Sequence, residues 1–159
     1  MDDGTGKTPR IVVGVDGSPT SEEALRWAVR QAALVGGTVD AVIAWAYPSG
    51  YGWPAPILDG FDFEDNARRC LAQAVTKVTK VTGGAPGGAL VRQLVVQGHP
   101  AAVLLDASEG ADLLVVGNRG HGGFTEALLG SVGQHCVHHG RCPVVVVRPA
   151  PDGEPAKDR

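Results

Sequence analysis

A cluster of glycines late in the chain has a composition suited to binding a phosphate group. It follows a short apolar segment, runs from residue 117 to residue 131 and reads GNRGHGGFTEALLGS. Glycine has no Cβ, so backbone N–H groups can approach phosphate oxygens, and the start of a following helix adds unpaired donors and a positive dipole end. Ser131 contributes a hydroxyl there. The alternative interpretation is a long turn followed by a serine N-cap.

An aspartate that ends the first apolar segment is the second candidate for chemistry. The sequence RIVVGVD, residues 10–16, ends in Asp16 and is followed by Gly17 and Ser18. A carboxylate only accepts hydrogen bonds, so Asp16 would suit a ribose hydroxyl or an adenine amino group and would repel an adjacent triphosphate. Capping of the next helix is the alternative role for this residue.

Histidines and cysteines near the end of the chain are metal-ligand types. The sequence HCVHHGRC covers residues 135–142, and His135 and His139 are four residues apart. A surface metal held by His135 and His139 is the alternative, but zinc sites usually have more convergent ligands, so we favour a solvated histidine face and predict no metal-binding residues. If this stretch forms a helix, its apolar face contains Leu129, Val132, Cys136 and Val137.

The elements that position these residues alternate between strand-like and helix-like patterns. Short apolar segments at 10–16, 38–46, 90–96, 113–116 and 143–147 predict five strands. Helical spacing of apolar residues predicts a helix at 20–35, one marked by Ala67, Leu71, Ala74, Val75 and Val78, one opened by Pro100, and one at 130–139. We expect the first helix to begin with a capping box at Thr20-x-x-Glu23.

Five strands separated by four helices predict an α/β fold. Continuously apolar strands indicate a parallel sheet covered on both faces, and right-handed crossovers make it a doubly wound layer. We expect one domain at residues 10–149, with flexible ends at 1–9 and 150–159. Ligands bind such sheets beyond the carboxyl ends of the strands, where Asp16 and Gly117 fall.

Composition and charge argue against several classes of protein. The chain has 159 residues, 43% of them hydrophobic, and a formal net charge of −3. Nucleic-acid binding needs a concentrated basic face, and a membrane span needs a longer apolar run than this chain contains. The N-terminus lacks an apolar signal region, and three cysteines do not make a disulfide framework. We therefore expect a cytoplasmic protein without a nucleic-acid or membrane partner.

The glycine spacing resembles a known family pattern. Gly117-x2-Gly120-x9-Gly130-Ser131 is similar to the G-x2-G-x9-G-[ST] pattern of the ATP-binding branch of the universal stress protein family. The segments IVVGVDGS at 11–18, GHGGF at 120–124 and CPVVVVR at 142–148 also resemble family segments. The resemblance covers residues 9–149 and implies a Rossmann-like, adenine nucleotide α hydrolase-like fold with strand order 3-2-1-4-5.

The resemblance also implies a set of binding residues. The end of strand one would hold the adenosine part, the end of strand two would line the adenine slot, and the glycine cluster would surround the ribose and phosphates. The residues carried over are Gly14, Val15, Asp16, Ala46, Gly117, Asn118, Arg119, Gly120, His121, Gly122, Gly123, Gly130, Ser131 and Val132. ATP is the implied ligand. Because the loop contains no lysine, we expect Mg²⁺ or Mn²⁺ to bridge the phosphates.

Two further surfaces point to partners. Strand five has four consecutive valines and would invite pairing as a sheet edge. The resemblance implies a homodimer in which Val144, Val145, Val146 and Val147 meet the same strand of a second subunit. Residues 47–63 include five aromatic residues and are interpreted as a packed flap, with a lid or a surface for an unidentified protein partner as alternatives.

Three functions remain open from the sequence. The favoured one is an ATP-binding homodimeric stress-response sensor or regulator with at most slow ATP hydrolysis, because no general base with a partner and no cationic clamp for a γ-phosphate is found. We predict no catalytic residues. An adenylyl-transfer enzyme of related fold would need a serine-glycine-glycine-x-aspartate-serine loop, which the sequence at 15–18 lacks. A scaffold with a vestigial pocket conflicts with the intact glycine pattern.

Overall fold

Parallel strands and helices alternate along the chain. The computed structural model describes residues 6–48, 60–81, 89–120 and 129–149. The strands are β1 (Arg10–Gly14), β2 (Thr38–Trp45), β3 (Val91–Gln97), β4 (Leu113–Gly117) and β5 (Val144–Val147). The helices are α1 (Pro19–Val35), α2 (Phe63–Val81), α3 (Pro100–Ala107) and α4 (Ser131–His139). The sheet is parallel with the order β3-β2-β1-β4-β5, which confirms the predicted fold.

The sheet separates two apolar cores because successive side chains of a strand point to opposite faces. On one face Ile11, Val13 and Val115 pack with the apolar sides of α1 and α2. On the other face Val12 and Leu114 pack with α3 and α4. Both faces of the central strands are therefore buried, which is why these strands read as unbroken apolar runs.

The start of α1 differs from the predicted capping box. Ser18 is the N-cap and accepts a hydrogen bond from Ser21 N at 3.2 Å, while Pro19 occupies the first helical position. Thr20 and Glu23 thus lie inside the helix, and the prediction of a box at these two positions is wrong. Proline has no N–H to leave unpaired at the first position, so the serine cap and Pro19 together define this boundary.

The expectation of uniformly apolar strands is wrong at the amino end of β2. Asp40 has 1% of its surface exposed and accepts hydrogen bonds from Arg92 Nε at 2.7 Å and Arg92 Nη2 at 2.8 Å. Arg10 Nη1 donates to the same carboxylate at 3.1 Å and to Ala107 O at 2.9 Å. A buried carboxylate is tolerated here because two guanidinium groups pair with it.

Several sequence predictions fall on residues that the structure does not describe. These are the two chain ends beyond residues 6 and 149, residues 49–59 of the aromatic segment, the glycine-rich turn at 82–88, and residues 121–128. Within the described ranges, none of the helices combines the length and apolarity that crossing a membrane requires.

Candidate functional site

A cleft opens where the carboxyl ends of β1, β2 and β4 meet the N-termini of α1, α3 and α4. Its volume is about 490 Å³. Most of the predicted binding residues line it, namely Gly14, Val15, Asp16, Ala46, Gly117, Arg119, Gly120, Gly130, Ser131 and Val132. The strand order brings these segments together, because β1 lies between β2 and β4. Residues 14–16, 46, 117–120 and 130–132 belong to segments that are distant in the chain and meet only in the folded protein.

The predicted residues outside this lining fall into two groups. Asn118 is 6% exposed, so its side chain lies beneath the cleft surface, and its backbone O accepts a hydrogen bond from Gly130 N at 2.6 Å. It therefore ties the end of β4 to the start of α4 through its main chain. His121, Gly122 and Gly123 lie outside the described residues.

The turn after β1 presents Asp16 at the cleft. Asp16 Oδ1 accepts from Ser18 N at 2.9 Å, and Asp16 N donates to Ser21 Oγ at 3.2 Å. Gly17 has φ of 83°, a left-handed conformation that lets the chain reverse between strand and helix. The carboxylate thus orders its own turn, while the capping role considered from the sequence belongs to Ser18.

The start of α4 forms the second wall. Gly130 is the N-cap, so Ser131 is the first helical residue, and the alternative of a serine N-cap is wrong. The N–H groups of the first helical turn have no partner within a helix and carry its positive dipole end. Ser131 is exposed at this position and adds a hydroxyl. This end of the helix can therefore donate several hydrogen bonds to an anion.

The motif glycines differ in the reason for lacking a side chain. A Cβ on Gly117 would lie 2.7 Å from Thr20 Cγ2 and 3.2 Å from Thr20 O, so this glycine permits the close approach of α1. A Cβ on Gly120 would collide with Asp16 Oδ2. A Cβ on Gly130 would make ordinary contacts, the nearest at 3.6 Å to Asn118 O. Main-chain packing against Thr20 thus favours glycine at 117, whereas at 120 only the end of the Asp16 side chain would have to move, and at 130 a Cβ would make ordinary contacts.

An apolar wall from β2 and α2 completes the cleft, and the sequence reasoning missed most of it. Its residues from these two elements are Val42, Ile43, Ala44, Trp45, Phe63, Asn66, Ala67 and Cys70. The α2 members recur at i, i+3, i+4 and i+7, so they form one stripe of the helix. The signal in the sequence was Asn66, a polar residue inside an otherwise apolar stripe.

Aromatic rings extend this wall outward. Trp45 and Tyr47 have ring centroids 5.4 Å apart, Tyr47 and Phe63 are 5.8 Å apart, and Phe61 and Phe63 are 4.7 Å apart, all edge to face. Trp45 and Phe63 line the cleft, whereas Tyr47 is 65% exposed. The described rings of the aromatic segment therefore contact one another beside the cleft, and the packed flap for residues 47–63 stays a prediction.

Charge is sparse in the cleft. Asp16 and Arg119 are the charged residues that line it within the described ranges. Cys70 lies on the α2 side, and burial, followed by the nearby carboxylates of Asp16 and Glu22, raises the pKa of its thiol. Cys70 therefore remains a neutral thiol at physiological pH and adds no negative charge.

The histidines and the cysteine of α4 lie on different sides of the helix surface: the histidines are exposed and Cys136 is buried. Cys136 is fully buried, and burial raises the pKa of its thiol to about 11. Val137 was expected on the same apolar face but is 48% exposed. The rings of His135 and His139 lie 4.7 Å apart on the solvent side. Among described residues, no three histidine, cysteine or carboxylate side chains converge as a metal cluster.

Comparison with known proteins gives a consistent assignment. The sequence model of the universal stress protein family matches residues 7–148. A universal stress protein of Mycolicibacterium smegmatis is 38% identical over 142 residues, which are 86% of this chain and 47% of that protein. A universal stress protein of Mycobacterium tuberculosis is 36% identical over 138 residues, covering 87% of this chain and 45% of that protein. The chain spans about half the length of the curated relatives it matches.

Solved structures agree on the fold. A universal stress protein from Lactobacillus plantarum superposes with a TM-score of 0.72 at 22% identity, covering 89% of this chain and 99% of that one. A universal stress protein in complex with cAMP has a TM-score of 0.60 at 29% identity, covering 87% of this chain and 95% of that one.

Proposed function

The chain belongs to the universal stress protein family, and we propose that its cleft binds an adenine nucleotide, ATP in particular, in a stress-response sensor or regulator. The single observation that carries the proposal is the shared cleft formed by the β1 turn, the end of β2 and the glycine motif before α4. This arrangement offers anion donors at one end and an apolar slot at the other. A nucleotide has the same division between phosphates and base.

The phosphates are expected at the N-terminus of α4. A Cβ on Gly130 would make only ordinary contacts, one of them 3.9 Å from Gly120 N, so the bare backbone of this glycine leaves room for a ligand atom beside Gly120. The first-turn N–H groups of α4 and the Ser131 hydroxyl are available beside that space. Gly120, Gly130 and Ser131 therefore form the proposed phosphate cradle.

The base and ribose are expected between β1 and α2. Ala46 and the apolar wall around Trp45 and Phe63 suit a flat aromatic ring. Asp16 would accept a hydrogen bond from a ribose hydroxyl or from the adenine amino group. The relative solved with cAMP, at 29% identity, binds an adenine nucleotide, which supports an adenine ligand here.

A divalent cation is expected to accompany the triphosphate. Arg119 is the cationic side chain of the described cleft lining, and one positive charge does not neutralise three phosphates. Mg²⁺ and Mn²⁺ prefer oxygen ligands and often bind through phosphates and water with few protein ligands. Asp16, the carboxylate of the described lining, is assigned to the ribose or the adenine, so phosphate oxygens and water would supply most ligands of such an ion.

Regulation rather than fast catalysis fits the residues of the cleft. Asp16 is the carboxylate of the described lining, and its Oδ1 already accepts the Ser18 N–H. Cys70 remains a neutral thiol. We therefore propose that the protein holds ATP with at most slow hydrolysis. Signalling of ATP occupancy to a partner in the cytoplasm is a further part of this proposal and does not follow from these residues.

The first experiment identifies the ligand. The purified protein is denatured, any released nucleotide is identified by mass spectrometry, and its phosphate number is followed for hours with the native protein. We expect bound ATP with slow or no conversion. Formation of AMP and pyrophosphate would instead indicate adenylyl transfer, and no binding even after ATP is added would exclude the nucleotide proposal.

The second experiment locates the phosphates. Gly130→Val fills the space before α4 while its Cβ makes ordinary contacts, so we expect the fold to persist and ATP affinity to fall by about 100-fold, since several charged hydrogen bonds are lost. Adenosine affinity should stay within about twofold, because its binding does not use these donors. Gly6→Val is the matched control, as a Cβ there meets nothing within 4 Å. Equal loss of ATP and adenosine binding would place the phosphates elsewhere.

We also propose a homodimer through the free edge of β5. Leu114 N donates to Pro143 O and Asn118 N donates to Val147 O, so the alternate residues Val144 and Val146 direct their backbone groups away from β4. Val146→Pro removes an N–H group that points away from β4, whereas Val145→Pro removes one that faces β4 within the sheet. We expect a folded monomer in sedimentation velocity for Val146→Pro and loss of folding for Val145→Pro. A folded Val146→Pro dimer would move the interface elsewhere.

A further inference from the structure

Two exposed histidine rings contact each other on α4, one and two helical turns after Ser131. His135 and His139 have ring centroids 4.7 Å apart and an interplanar angle of 44°. Both side chains are exposed, and neither lines the cleft, whose α4 members are residues 131–133. His138 is also exposed and lies three residues after His135, but among the described residues no three metal-ligating side chains converge, so it does not join the pair in a cluster.

The ring separation fits coordination of one metal ion by both imidazoles. A metal–nitrogen bond of about 2.0–2.1 Å puts each ring centre about 3.2 Å from the metal. If the nitrogen–metal–nitrogen angle lies between the square-planar and the tetrahedral value, the two ring centroids are about 4.5–5.2 Å apart. The observed 4.7 Å lies within that range. Two histidines at i and i+4 are also the helical spacing that zinc proteins use to bind one ion.

We propose that His135 and His139 bind a divalent transition-metal ion of the Zn²⁺ class, with water in the remaining coordination positions. Imidazole nitrogen suits zinc, nickel and copper and is a poor ligand for Mg²⁺, so this site differs in chemistry from the proposed nucleotide-linked cation. It revises the interpretation of a solvated histidine face, because the sequence spacing alone did not show that the rings meet.

The site has two protein ligands within the described part of the chain, where no third histidine, cysteine or carboxylate converges. Cys136 follows His135 directly in sequence but is fully buried, so its thiol faces the core instead of the pair. Two-ligand coordination leaves positions open to solvent and makes binding weaker and more exchangeable than in a structural zinc site. The bound ion would link two successive turns near the C-terminal end of α4.

The experiment compares four proteins in a titration with Zn²⁺ alone, monitored by competition with a chromophoric chelator. These are the full chain, His135→Gln, His139→Gln and the matched control His138→Gln. We expect each variant of the pair to bind Zn²⁺ at least about tenfold more weakly and the control to stay within about twofold, because two ligands on one ion act as a chelate. All three substitutions lie at exposed positions, so circular dichroism should show an unchanged fold.

Three outcomes would overturn the proposal: no Zn²⁺ binding by the wild-type chain, wild-type affinity in both pair variants, or an equal loss in His138→Gln. A second measurement uses thermal unfolding. Zn²⁺ should raise the midpoint of the wild type and of His138→Gln and leave both pair variants unshifted. Gly130→Val should retain Zn²⁺ binding, which separates this site from the nucleotide cleft.

Discussion

The two ends of the parallel sheet differ in how their polar groups are satisfied. At the amino end, the buried carboxylate of Asp40 is paired with Arg10 and Arg92, and Arg10 also donates to backbone carbonyl groups. At the carboxyl end, the strands open into a cleft with exposed Ser131 and the first-turn N–H groups of α4 beside it. The same strands contribute to both ends.

This difference separates stability from binding. A buried charge must be paired to avoid a large desolvation cost. The ion network at the amino end therefore contributes to stability rather than to ligand binding. Donors beside a cleft that is open to solvent need no protein partner, and a ligand can take the place of solvent there. We therefore expect substitutions at the amino end to change the free energy of unfolding and those at the carboxyl end to change affinity.

The largest expected effect is at Asp40. Asp40→Ala should lower the free energy of unfolding by about 3 kcal/mol, because it leaves the part-buried Arg10 without its carboxylate partner. The measurement is urea unfolding followed by circular dichroism. Asp65→Ala removes an exposed ion pair with Arg69 and is the control, with an expected change below about 0.5 kcal/mol. ATP affinity of folded Asp40→Ala should be unchanged; a parallel loss of affinity would contradict the separation of the two ends.

The next effect distinguishes two glycines of one motif. Gly117→Ala should destabilise the fold by about 1–3 kcal/mol, because the new Cβ meets Thr20 main-chain and side-chain atoms. Gly130→Ala should cost less than about 1 kcal/mol, since it has room and loses only a favourable N-cap residue. Thermal unfolding of both variants tests this order. Equal destabilisation would mean that position 130 is also determined by packing.

A ligand footprint tests the cleft in the unmodified chain. Cys70 lines the cleft, whereas Cys142 packs against the α3 and α4 side of the sheet and serves as an internal control. Saturating ATP should slow alkylation of Cys70 by about fivefold or more, because a bound nucleotide buries most of its own surface against the pocket wall. Mass spectrometry of the labelled peptides gives both rates. Equal protection of the two cysteines would indicate a global change instead of a ligand in the cleft.

The smallest effect concerns Cys136 in the body of α4. Its folded pKa of about 11 lies above the ordinary value of 9.0, so the folded protein holds this proton more tightly than the unfolded chain. The resulting stability is complete below pH 9 and is lost as the pH rises toward 11. By pH 10 the loss should be on the order of 1 kcal/mol relative to Cys136→Ala, which lacks the thiol. Identical pH profiles of the two proteins in urea unfolding would show that burial does not raise the pKa of the Cys136 thiol.

Much of the fold followed from local patterns. Apolar segments bounded by glycine and proline located all five strands within one or two residues, since buried parallel strands need apolar side chains on both faces. The first helix was found by its apolar stripe, but its cap was misassigned because Ser18 and Thr20 are both plausible capping types. Geometry selected Ser18, which accepts the Ser21 N–H.

The glycine motif was identified by its spacing, but the reasons for its glycines were not. Gly117 read as a residue that meets phosphate, whereas its bare Cα faces Thr20 of α1. The apolar wall of Trp45, Phe63 and Cys70 was missed, because helical periodicity marks a buried stripe without revealing whether it faces a core or a cleft. Asp40 escaped notice for a similar reason, since Arg10 and Arg92 are distant in sequence.

The sequence by itself determined the succession of elements, the parallel sheet and the family pattern, because these depend on local spacing and on which side chains can be buried. The tertiary structure decided which residues meet. It brought the turn after β1, the end of β2 and the start of α4 to one cleft, paired Asp40 with two arginines, and put the rings of His135 and His139 within 4.7 Å. Contacts of this kind depend on how distant elements pack, which local periodicity does not contain.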